Sequence, residues 1–223
     1  NAVSEFQSVV MQNGRWDSHV EDLRPSLMQI NKPIFNHNRA LIFPAGNEYR
    51  KFEILDEYVP TLRVDHMEFD DACYHATLFV DEQRINYLYD EEQNGRFLIR
   101  NGDNVENDTK SDYFVTHFTL QMPQLAGGEV YLFGSLTNNR MEEEYKMTYN
   151  LIDHQYELAV PLKQGSYNYM YMFLPDEGET GETRQCEGDF HQTENEYAVY
   201  VYHRPFGLRY DKLVGFKNIS YKE

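Results

Sequence analysis

The sequence predicts an all-β chain folded as two tandem β-sandwich domains. Three observations carry this expectation. Apolar and polar residues alternate along short segments, and helical periodicity is scarce. Tyrosine (18) and phenylalanine (14) are abundant, and both suit pleated, half-buried surfaces. The alternating segments are bounded by Gly, Pro, Asn and Asp. With 223 residues, 41% of them hydrophobic, the chain has the length for two small β domains and the apolar content for their cores.

In the first half, FQSVVMQ, RALIFP, YRKFEI, TLRVDHMEF, YHATLFV and RFLIRN read as strands. VVMQNGRWDS contains Trp16, the single tryptophan, just after Asn13-Gly14. Asn-Gly tolerates positive φ at both turn positions, as a type I′ hairpin requires. Trp16 is expected to open the return strand and anchor the turn in the core, worth about 3–5 kcal/mol if buried. QNGRFLI (Gln93 to Ile99) repeats the device. NGDNVENDTKSD (Asn101 to Asp112) has one aliphatic side chain and cannot contribute a core. The domain boundary is expected there, giving domains 1–108 and 109–223.

The second half shows clearer strands: GEVYLFGS, QYELAVPL, SYNYMYMFL and EYAVYVYHR. In SYNYMYMFL, Tyr167, Tyr169, Tyr171 and Phe173 share one face, and Asn168, Met170 and Met172 the other. Both faces are partly apolar, which predicts a central strand covered on both sides. Gln164-Gly165 reads as a tight hairpin between two strands. The stretch 175–195 is long for a hairpin connection, and such loops are functional or mobile.

Asp plus Glu number 37 against 20 Lys plus Arg, a net charge of −17. Such a surface repels phosphate backbones and anionic membranes, so nucleic acid is excluded as a partner. No run of about 18 apolar residues is present, so the chain is expected not to span a membrane. It opens inside a strand-like pattern without a signal peptide and reads as a fragment or processed form. Cys73 and Cys186 are expected to be two free thiols, with a single bridge as the alternative.

Catalytic chemistry finds little support. Asp65, His66, Glu68, Asp70 and Asp71 in VDHMEFDD offer metal donors, but alternate side chains of a strand diverge. The eight histidines show no HExxH spacing, and no GxSxG occurs. Cys73 and His75 share a strand face without a third group to orient them. Cys186 lies beside Glu187 and Asp189, which disfavour its thiolate. No catalytic residue, cofactor or metal is expected. The best candidate surface is HRPFGLRYDKLVG. Pro205 breaks the strand, and Phe206, Leu208 and Tyr210 follow in a loop with Arg204, Arg209 and Lys212; Arg204, Phe206, Arg209 and Tyr210 are the candidate contacts, Arg and Tyr being enriched in interface hot spots. The alternative is a terminal segment folded over a sheet edge. Tyr200 and Tyr202, with Asn138, are candidate glycan contacts.

The segments VVMQNGRWD, FPAGNEYRKFEI, NGRFLIR, SDYFVTHFTL, VYLFGSLTNNRMEEEYKMTYN, LKQGSYNYMYMF and TENEYAVYVYHRPFGLRYDKLVG, in this order, resemble a Bacteroidetes domain-of-unknown-function family associated with the plug protein of the type IX secretion system. The resemblance implies immunoglobulin-like sandwiches corresponding to that family's C-terminal two domains. It implies a periplasmic protein at the periplasmic face of the outer membrane, closing the mouth of a β-barrel translocon without catalytic residues. A second resemblance covers Ser111 to about Tyr202, which is similar to early-set immunoglobulin-like modules that bind glycogen and starch. Gly134, Ser135, Gly165, Tyr167, Tyr169 and Phe173 fit their pattern. Asn139 stands where those modules carry tryptophan, and without that flat ring the fold is shared more readily than the ligand. The sequence thus points to a non-enzymatic, protein-binding β-sandwich protein, with a carbohydrate-binding module as the alternative.

Overall fold

A computed structural model describes residues 6–30 and 32–221. The described chain is almost entirely strand and loop. β1 (Phe6–Gln12) precedes a short hairpin, β2 (Leu27–Gln29) and β3 (Lys32–Ile34). β4 (Arg50–Ile54), β5 (Val64–Asp70), β6 (Cys73–Leu78), β7 (Asp81–Glu82) and β8 (Phe97–Ile99) follow. After a one-turn helix, α1 (Asn107–Lys110), come β9 (Tyr113–Gln121), β10 (Gly128–Phe133), β11 (Thr148–Asn150), β12 (Gln155–Lys163), β13 (Gly165–Pro175), β14 (Asn195–His203) and β15 (Lys212–Tyr221). RALIFP is not a strand. Asn38 caps a single 3-10 turn at Arg39–Leu41, its side-chain oxygen accepting from the Ala40 N–H at 3.0 Å.

The chain forms two compact units, but they do not divide where composition suggests. Residues 1–45 and 192–223 make one unit, and 46–191 make the other. The expected boundary at 108 falls inside the second unit. There, β9 runs parallel to β6 and β7, and β13 is flanked by β4 and β8. Strands from both halves of the sequence thus share the same sheets. Asn101–Asp112 is polar because it is a surface loop within the unit. Its asparagines tie it together, with Asn101 Nδ2 donating to the Val105 carbonyl at 2.9 Å and Asn107 Nδ2 to Asn104 Oδ1 at 2.8 Å.

Unit 46–191 is a sandwich. One sheet contains β10, β13 and β4, with β8 also paired to β13. The other runs β11-β12-β9-β6-β5, with β7 on β9. Phe52 and Tyr169 of the first sheet meet Phe118 of the second edge-on, at ring-centroid distances of 5.6 and 5.3 Å. The two faces of β13 behave as the alternation predicts. Tyr167, Tyr169, Tyr171 and Phe173 enter the main core, while Met170 and Met172 pack with Tyr49 and Phe133 on the opposite face.

Gln164 and Gly165 do not make a hairpin, because β12 and β13 lie in different sheets. They form the crossing between the layers. Gln164 is fully buried. Its N–H donates to the Asp112 carbonyl at 2.8 Å, and its side-chain oxygen accepts the Asp112 N–H at 2.9 Å. A Cβ on Gly165 would stand 2.5 Å from the Leu98 carbonyl oxygen, so the crossing requires glycine there.

In the other unit, β1, β14 and β15 form an antiparallel sheet in the order β1-β14-β15. Asn13 and Gly14 both have positive φ, 49° and 70°, and the Arg15 N–H closes the turn onto the Gln12 carbonyl at 3.0 Å. The type I′ turn is therefore present. Trp16, however, is 59% exposed. Arg15 is buried instead, and its guanidinium pairs with Asp17 at 2.6 Å. Trp16 leans on His19 at 5.0 Å, so the expected core anchor is a surface residue.

Candidate protein-docking hairpin

The β14–β15 hairpin brings four of the sequence-predicted residues together. Arg204, Phe206, Arg209 and Tyr210 all lie in its connection. Arg204 Nε and Nη2 donate to Asp211 Oδ1 and Oδ2 at 2.7 and 2.6 Å. This bidentate pair closes the base of the loop. The Leu208 N–H donates to the Pro205 carbonyl at 3.0 Å, and Gly207 takes a φ of 81°. Phe206 sits at the tip, 99% exposed, with exposed Leu208 and Tyr210 beside it. Arg204 thus positions the loop, and the apolar side chains are what it presents.

The sheet behind the loop is also apolar. Directly paired residues share a face, so Tyr200 and Tyr202 of β14 lie with Leu213 and Phe216 of β15. The Tyr200 and Phe216 rings are 5.0 Å apart. Phe6, Val199, Val201, Ile219 and Tyr221 occupy the opposite face. Phe216 is 57% exposed and Ile219 48%. Apolar side chains exposed on both faces of one sheet form a pattern of the kind interaction surfaces show. Residues 204–211 form the loop, while the segment from Lys212 onward pairs along β14 as the terminal segment over a sheet edge that the sequence offered as the alternative.

The glycan candidates divide between the two units. Tyr200 and Tyr202 share one sheet face, but Asn138 belongs to unit 46–191. Asn138 and Asn139 both adopt left-handed backbone, φ 54° and 53°, in the turn after Ser135–Thr137. Asparagine suits that geometry, which accounts for both residues without a sugar. The Tyr200 and Phe216 rings are tilted by 44° and make no flat platform.

The loop 175–195 is neither open nor free. It buries Thr183, Cys186 and Glu187 and adds a short antiparallel bridge to β13 through Glu182 and Phe173. Glu187 accepts the Tyr171 N–H at 3.0 Å and the Arg50 guanidinium at 3.0 Å. Arg50 also donates to Asp81 at 2.8 Å. Burial alone would lower the Arg50 pKa, but Glu187 and Asp81 raise it above its ordinary value. Asp81 further accepts the hydroxyls of Tyr169 and Tyr171, at 2.7 and 2.9 Å. Both hydroxyls are held well above the ordinary tyrosine pKa, by burial first and by Asp81 next. All these donors and acceptors satisfy one another, so the cluster is a structural latch. Cys186 is a free, buried thiol whose pKa is pushed up by burial and then by Glu187.

Other chemistry is dispersed. Asp65 and His66 touch at 3.2 Å on the exposed side of β5, and among the described residues no three potential ligands converge on a metal. His75 Nδ1 and His117 Nε2 are 2.9 Å apart across β6 and β9, a pair that sequence spacing could not reveal. Glu92 lies in the turn before Gly95. Burial pushes its pKa up to about 7, the Asn94 and Gly95 N–H groups oppose this, and Glu48 adds to it. Its proton is held more tightly in the folded than in the unfolded state, so this group's contribution to stability falls as pH rises from about 4.5 to 7. Glu92→Gln is expected to flatten the stability–pH slope in that window, read by urea denaturation at several pH values. An unchanged slope would place the carboxylate in solvent. The turn itself needs Gly95: its φ is 79°, and a Cβ would stand 2.5 Å from the Tyr49 ring.

No family model matches this chain. No curated protein matches it either. Among solved structures it is similar to a hypothetical protein from Parabacteroides merdae ATCC 43184, a Bacteroidetes species, with 44% identity and a TM-score of 0.94. The match covers 98% of this chain and 55% of that one, so the chain spans little more than half the length of that structure. The class defined by fold and relative is an all-β sandwich protein with a Bacteroidetes counterpart.

Proposed function

We propose that this is a non-enzymatic binding protein that docks a protein partner through the β14–β15 hairpin. The observation that carries the reading is the exposed apolar tip, Phe206, on a loop closed by the Arg204–Asp211 pair. A loop already closed by that pair loses less backbone freedom on binding than an open one. The motif resemblance supports the periplasmic face of the outer membrane as the setting and a β-barrel secretion translocon as the partner. On that reading the protein occludes the channel from the periplasmic side.

Immobilised protein is expected to retain an outer-membrane β-barrel from envelope extracts. Phe206→Ala is expected to lower the retained amount about tenfold or more, with the melting temperature unchanged because the ring is in solvent. Equal retention by wild type and variant would end this reading.

A further inference from the structure

We propose that the hairpin docks its partner by strand addition along the free edge of β15, and that the added strand carries an acidic residue opposite Lys217. The proposal rests on the docking reading above and specifies its geometry. β15 is the last strand in the order β1-β14-β15. Among the described residues its outer edge has no backbone partner. The register with β14 shifts once, where Gly215 pairs with Val201 and Leu213 with Tyr202, leaving Val214 as the extra residue. Beyond that bulge, residues 215–221 pair regularly and form a continuous edge. A long, regular, apolar edge is a template for another strand.

Charge selects the occupant. Lys212–Tyr221 contains two lysines and no acid, in a chain of net charge −17. Lys212 and Lys217 have no ion-pair partner among the described residues. Lys217 is the third residue of the regular edge, where a lysine discourages indiscriminate pairing. A second copy fits poorly. Overlapping residues 215–221 of two copies antiparallel sets each Lys217 diagonal to the other on one face, about 7–8 Å apart. Two chains of net charge −17 also repel. A strand with an acid opposite Lys217 and apolar residues opposite Phe216 meets both the charge and the alternation.

The test uses the protein with two synthetic peptides. One is a capped heptapeptide of alternating threonine and valine with glutamate at its fifth position, opposite Lys217 in the antiparallel register. The other carries lysine there. Amide hydrogen exchange and NMR shifts of residues 215–221 report pairing. The glutamate peptide is expected to protect those amides and bind on the order of tenfold more tightly than the lysine peptide. Lys217→Glu is expected to invert the preference, and Lys217→Gln to abolish it. No protection, protection elsewhere, or equal binding of both peptides overturns strand addition. Protection already present in the free protein, from a dimer seen by sedimentation or from flanking chain, overturns it too. Envelope capture by Phe206→Ala reads the docking surface separately, so failure of strand addition is told apart from failure of the docking reading.

Discussion

Replacing Arg50 by methionine is expected to cost about 3–5 kcal/mol of folding stability, the scale for breaking a buried ion pair by removing one partner. The side chains of Arg50, Asp81 and Glu187 are nearly inaccessible. Without the guanidinium, Glu187 keeps Arg84, at 3.6 Å, and the Tyr171 N–H among the described residues. Asp81 retains Arg63, at 2.9 Å, and the two tyrosine hydroxyls. Those groups cannot replace the bidentate contact that holds the 175–195 loop to β4. Arg63→Met is the contrasting variant. Arg63 touches the same Asp81 oxygen, but its side chain is 43% exposed, so water compensates and the expected loss is about 1 kcal/mol or less. Urea midpoints at constant m measure both. Equal losses would show that position in the cluster, and not burial, sets the cost.

The latch also shows why the sequence was legible only in part. Alternation identified β13 as a strand covered on both sides, because each face of SYNYMYMFL has its own apolar set. It identified β1, β4, β10, β12 and β14 for the same local reason. It could not reveal that Arg50, Asp81 and Glu187 meet, since they are distant in sequence and no spacing rule links them. Gln164-Gly165 misled because a turn-like pair between two strands fits a hairpin and a layer crossing equally well. Only the partners of β12 and β13 decide between them. Trp16 misled because burial tendency is a property of residue type, and the turn at Asn13-Gly14 turned Arg15 inward in its place. The loop proposed for docking was read from composition: aromatic and basic residues around a strand-breaking proline. The edge behind it was only the alternative because Lys212, Lys217 and Asn218 dilute the alternation of β15.

The domain boundary is the expectation with the most to test, and Phe52 and Phe118 are the residues that test it. A boundary near 108 would place them in separate cores. In the structure they meet edge-on at 5.6 Å, with an interplanar angle of 80°, inside one buried cluster. Phe52 also stacks on Tyr167 at 5.1 Å, so its loss opens a cavity walled by both sheets. Phe52→Ala and Phe118→Ala are each expected to cost about 3–5 kcal/mol. Both should lower the same unfolding transition, because strands from both halves of the sequence close one core. The double variant should cost less than the sum by about 0.5–1.5 kcal/mol, the range for an aromatic pair in contact. Calorimetry with each variant checks this. Two transitions, one moved only by Phe52→Ala and the other only by Phe118→Ala, with additive losses, would restore the boundary near 108 and refute the interleaved sandwich.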